Sequence, residues 1–279
     1  MAFLTSFVSD LTPGTVQLFL TCLSFLALET LWPRAGSRVT AAARLKAMVF
    51  WVVNGAAAVL IGDALAPIWR PTGFHPLLPS LAPAGLPAPL AGAIGVVAAA
   101  FVGDFFYYWC HRAQHRVPWL WRFHAVHHSV REMNGLTGYH HFTEGFIEFA
   151  LYALPLSLFT DSPYAIPFLG LALAWQGNYE HSPTRVHLGP LRRLLVDNRI
   201  HRIHHSLERR HYDKNFGIFT TLWDQLFGTA WFPADDEWPQ TGVADFPEPQ
   251  SVRELLIAPF VWRAGSAAPM ATVPVPPAE

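Results

Sequence analysis

Residues 90–128 read LAGAIGVVAAAFVGDFFYYWC, then His111-Arg-Ala-Gln-His115, then an eight-residue link, then His124-Ala-Val-His127-His128. An apolar run long enough to cross a bilayer (about 20 residues) passes directly into two histidine clusters. A third cluster follows at His201-Arg-Ile-His204-His205. On a helix, positions i, i+3 and i+4 share a side, so each cluster offers a face of imidazoles. Imidazole is the commonest protein ligand for transition metals. Eight convergent imidazoles exceed the needs of one ion, so the spacing predicts a site for two.

The rest of the chain predicts an all-α membrane bundle with a histidine-rich cytoplasmic cap. The 279 residues are 52% hydrophobic and 14% charged, against about 25% charged in soluble domains. Two further apolar stretches, Thr15 to Trp32 and Ala47 to Ile68, join Leu90 to Cys110 as expected spans. The first lacks a basic leader and a small-residue cleavage site, which disfavours a signal peptide. Arg34, Arg38, Arg44 and Lys46 lie between the first two spans, and only Arg70 between the second and third. The positive-inside rule therefore puts the 34–46 loop and, by parity, His111 in the cytoplasm. Phe146 to Trp175 is apolar but broken at Thr160-Asp161-Ser162-Pro163. Each arm is too short to span, so a hairpin that dips and returns is expected. His181 then joins the three clusters as a ninth ligand. The expected organisation is 1–89 membrane helices, 90–232 catalytic domain and 233–279 C-terminal segment, disordered from about residue 264.

Other residues carry less. Cys22 and Cys110 lie in or beside spans and form no framework. His75, His187 and His211 are expected to be bystanders, and His140 and His141 are ambiguous. Asp104 precedes His111 by two helical turns inside an apolar span, where an unpaired charge is costly. It is expected to orient a ligating histidine.

The stretches Asp104 to Ser129, His201 to Ser206, Asn215-Phe-Gly217 and Leu222-Trp-Asp-Gln-Leu-Phe-Gly-Thr229 resemble the sterol desaturase/fatty acid hydroxylase superfamily. The resemblance implies a membrane enzyme with two irons (Fe2+/Fe3+) that uses O2 to hydroxylate or desaturate a lipid. Sterol, fatty acyl, ether lipid and carotenoid substrates all stay open. It maps ligands onto His111, His115, His124, His127, His128, His181, His201, His204 and His205. It also implies residence in a bacterial inner membrane or its equivalent. Where many members carry Arg-x-His after the second box, this chain has His140-His141-Phe142. No His-Pro-Gly-Gly segment of cytochrome b5 type is present, so electrons must come from a separate ferredoxin- or cytochrome-type carrier. The basic run Arg192, Arg193, Arg199, Arg202, Arg209, Arg210 and Lys214 could receive that carrier, or anionic headgroups. A nucleic-acid partner is not expected. The rival readings are a membrane metal carrier or transporter, and a membrane zinc hydrolase.

Overall fold

The computed structural model describes residues 13–69, 87–157 and 175–262, together with Gly85. All regular elements among them are helical, with isolated bridges in place of strands. Helix α1 is Pro13–Leu31, α2 Ala41–Trp69, α3 Ala88–Arg116 and α4 Pro118–His128. Short helices follow: α5 Glu144–Glu148, α6 Leu154–Ser157, α7 over residues 175–181, α8 Asn198–His204, α9 Leu222–Leu226 and α10 Val252–Val261. A π-helical turn, Phe149–Ala153, links α5 to α6.

The break between α3 and α4 creates the site. Pro118 disfavours helical geometry in the residue before it, and Val117 is extended at φ −97° and ψ 114°. Pro118 then opens α4 at its first turn, where its missing N–H costs nothing. What would be one long helix is folded back on itself, so the imidazoles of α3 face those of α4. A core of Phe50 from α2, Ala125 and Val126 from α4, Tyr139, Phe246 and Leu255 from α10 supports this corner. The segment after residue 233 is thus part of the core up to α10. Its tail lies outside the described residues, as do the break in the expected hairpin and its return arm.

The three expected spans coincide with α1, α2 and α3. Among the described residues, however, no helix is long and apolar enough to cross a membrane. Glu29 interrupts the apolar run of α1 for a tertiary reason. It is 4% exposed, accepts from the Gly135 N–H at 2.6 Å and pairs with Arg44 of α2. The end of α1 is also bridged to the segment after α7, with Arg34 N–H donating to the Pro183 carbonyl and Arg185 N–H to that of Trp32.

Candidate metal centre

All nine histidines expected as ligands converge, and they divide into two groups. His111, His115, His124, His128 and His204 bring five ring nitrogens within 4.8 Å of one another, and His127, His181, His201 and His205 bring four. Adjacent histidines separate: His127 and His128 join different groups, as do His204 and His205. The groups adjoin, with the His128 and His205 rings stacked at 4.2 Å and 17°.

The backs of the rings are tied down. The Nδ1 atoms of His111, His127, His181 and His204 lie 2.8, 3.1, 2.7 and 2.8 Å from the carbonyls of Phe216, Tyr139, Gly177 and Lys214. A carbonyl only accepts, so each of these Nδ1 atoms carries the proton and each Nε2 keeps its lone pair. His124 Nδ1 meets Glu144 at 2.7 Å, and His201 Nδ1 lies 3.4 Å from Glu180. The free Nε2 atoms then face one another. Separations are 3.0 Å for His111 and His124, 3.1 Å for His115 and His128, 3.4 Å for His127 and His181, and 3.2 Å for His181 and His201. Lone pairs held that close repel unless a cation lies among them. Nitrogens sharing a metal at about 2.1 Å sit roughly 3.0–3.4 Å apart. The donor set therefore fits two metal ions.

The electrostatics agree. Burial pushes all nine imidazole pKa values down, to about 4 for His181 and His204, and repulsion between neighbouring rings lowers most of them further. Neutral imidazole is the form that ligates. Burial raises Glu144 and Glu180 well above the usual carboxylate range. Their ion-pair contacts among the described residues are with imidazoles only, and a metal held by those rings would supply the opposite charge. Carboxylates behind ligating histidines set ring orientation and basicity. Glu144→Gln is expected to weaken metal binding about 10–100-fold while the protein folds. Competition against a chelator measures this, and unchanged affinity would reduce Glu144 to a packing role.

Asp104 does not orient an imidazole directly. Its oxygens accept from the N–H groups of Ile218, Phe219 and Thr220 and from the Thr220 hydroxyl, at 2.7–3.0 Å. Asp224 holds the neighbouring N–H groups of Phe216 and Gly217, each at 2.8 Å. Two buried carboxylates thus fix the 214–220 segment, whose Lys214 and Phe216 carbonyls lock His204 and His111. The segment is entered through left-handed residues Asp213 and Asn215, φ 59° and 58°, a conformation Asn and Asp tolerate best. Gly217 must lack a side chain, since a Cβ there would lie 2.2 Å from the Thr220 carbonyl oxygen.

His187 is exposed, His211 is held by Ser206 and Glu237, and His141 is tied to the Leu256 carbonyl. His75 lies outside the described residues. His140 belongs beside the site, stacked on His127 at 4.0 Å and 14°. The basic run is partly consumed internally: Arg199 donates to the Ala234 carbonyl, and Arg202 donates to Pro239 and lies over the Trp238 ring. Glu144 and Glu180 were not picked out from sequence, and Asn215-Phe216-Gly217 stood out only as part of the family resemblance, without a role behind the imidazoles. Of the two carboxylates, only Glu180 had a local signal, as the neighbour of His181.

Comparison with known proteins places this arrangement. The profile of the fatty acid hydroxylase family matches residues 96–229, which contain all nine histidines. That segment is similar to the fatty acid hydroxylase family, in line with the resemblance carried by the three histidine clusters. It is 35% identical to the ornithine lipid hydroxylase OlsE of Rhizobium tropici over 138 residues, 49% of this chain and 42% of that protein. It is 36% identical to human alkylglycerol monooxygenase over 141 residues, 50% of this chain and 31% of that protein. It is 32% identical to the very-long-chain aldehyde decarbonylase CER1 of Arabidopsis thaliana over 151 residues, 48% of this chain and 24% of that protein. The chain thus matches less than half the length of each of these relatives. No solved structure matches.

Proposed function

We propose that this chain is a membrane-embedded di-iron oxygenase that hydroxylates or desaturates a lipid. The observation that carries the reading is the pair of adjoining all-imidazole groups whose Nε2 atoms face inward. Bound iron supplies the oxidising power that acid–base side chains lack for an unactivated C–H bond. His111, His115, His124, His128 and His204 hold one ion, and His127, His181, His201 and His205 the other. The carbonyls of Phe216, Tyr139, Gly177 and Lys214 keep the rings from turning, and Glu144 and Glu180 balance charge.

Two clefts border this centre. One, of about 330 Å³, is walled by Val53, Ala57, Leu60, Ile61, Phe146 and Leu256 with His140 beside them, and suits a lipid chain. The other, also about 330 Å³, is lined by His115, His128, His204, Tyr212, Asp213 and Asp245 among others, and suits water and protons. Large apolar side chains exposed on α1 and α2, among them Phe19, Leu20, Leu23, Val52 and Leu60, support burial of these helices in a bilayer. The basic 34–46 loop supports a cytoplasmic site reached by a separate electron carrier. A catalytic zinc usually keeps about three protein ligands and an open position, which the five-imidazole group does not resemble. A transporter would spread its ligands along a path, whereas these form one cluster.

The test is metal analysis of protein purified without added metal, with O2 uptake and lipid analysis of membranes that contain it. About two irons per chain, and O2 consumed with a new hydroxyl or double bond on a lipid, is the expected result. Zinc alone with no O2 consumption overturns the reading.

A further inference from the structure

Two buried acceptors beside the metal centre have no donor. Glu144 is 1% exposed. Its Oε2 receives both Gln114 Nε2 at 2.8 Å and His124 Nδ1 at 2.7 Å, while its Oε1 has no partner. The His140 ring is half-buried, and its Nε2 atom is enclosed without a partner. With the ring proton on Nδ1, Nε2 presents a lone pair. One ring nitrogen each of His124 and His140 and one carboxylate oxygen of Glu144 lie within 4.8 Å of one another. An enclosed acceptor left without a donor is costly, so the pair suits a group that donates.

His140 also joins this pair to the apolar cleft. It lines the cleft while its ring lies flat on His127 at 4.0 Å. The cleft therefore reaches to within one ring of the four-imidazole group.

We propose that His140 Nε2, which borders the apolar cleft, and Glu144 Oε1 behind it form a recognition subsite for an O–H or N–H of the substrate. The inference rests on the lipid-oxidation reading and adds a substrate class. The lipid carries a hydrogen-bond donor within a few bonds of the carbon that reacts, with its apolar tail along Ala57, Ile61 and Phe146. A hydrocarbon with no donor leaves the two acceptors unpaired and is disfavoured. His140 is a specificity residue in this scheme, not a metal ligand.

The test compares binding of hexadecanol and hexadecyl methyl ether, which differ in the donor, to the metal-loaded full chain in detergent by titration calorimetry. Wild type is expected to bind the alcohol about tenfold tighter. His140→Phe keeps a ring to stack on His127 but removes the acceptor, and should bind both probes with about the affinity of the ether. Ala57→Phe fills the cleft and should weaken both probes equally without changing metal content. Equal affinities in wild type overturn the proposal, as does binding of neither probe. A preference that survives in His140→Phe also overturns it, and so does loss of a metal ion in that variant, which would make His140 a ligand. If His140→Phe does not fold, the wild-type ratio alone decides. The preference is read with any metal in the site, so failure of iron or O2 chemistry is seen separately.

Discussion

His205→Ala should purify with about one metal ion per chain where wild type holds about two, while its neighbour variant His204→Ala should keep about two. The two residues are adjacent in one HxxHH cluster, and sequence alone treats them alike. In the structure His205 is one of four imidazoles in its group, and His204 one of five. Removing His205 leaves three neutral ligands and an open position, which lowers affinity steeply. Removing His204 leaves four, a complete shell for many divalent ions. Both variants should lose activity by more than about 100-fold, beyond the loss typical of outer partners. Metal analysis after dialysis against a weak chelator separates them. The same contrast is expected within the second cluster, where His127→Ala should behave like His205→Ala. Equal metal loss in both members of either pair would show that the ligands are not partitioned as the rings are placed.

Asp104→Ala should lower unfolding stability by about 3–5 kcal/mol, as breaking one side of a buried charged hydrogen-bond set does. Asp104 is 2% exposed, and its loss strands three backbone N–H groups of residues 218–220. The consequence reaches the centre by one further step, because the same segment supplies the carbonyls behind His111 and His204. Metal affinity of the five-imidazole group should therefore fall about 10–100-fold, while the four-imidazole group is affected less. Asp104→Asn retains one acceptor oxygen and should fall between wild type and Asp104→Ala. Thermal unfolding of detergent-solubilised protein, with metal content in parallel, checks both effects. A wild-type melting temperature would remove Asp104 from the supporting structure of the site.

The histidines were legible because their spacing matches the helical repeat and because eight of 14 fall in three short clusters. The α3–α4 corner was legible in principle from Pro118, whose effect on Val117 is local. Asp104 was recognised as a buried carboxylate needing partners, but its partners are 114–116 residues away in sequence. Spacing along one helix pointed to His111, and tertiary structure sent the carboxylate to the backbone behind it. Glu144 and Glu180 had no periodic pattern to mark them, since each acts singly through a contact that only folding creates. The exposed apolar sides of α1 and α2 follow directly from composition, whereas the ion pair that buries Glu29 needed the position of α2 and Gly135.

The sequence by itself determined which atoms can bind metal, because helical periodicity and the chemistry of imidazole are local properties. It also determined the helical class, through long apolar runs and a proline at the corner. Only the tertiary structure decided how nine imidazoles divide into groups of five and four, and which carbonyls and carboxylates lock their rings. It alone placed His140 between an apolar cleft and the centre. Those are distances between residues remote in the chain, fixed by the packing of α3, α4, α7 and α8 against one another, and no local pattern encodes them.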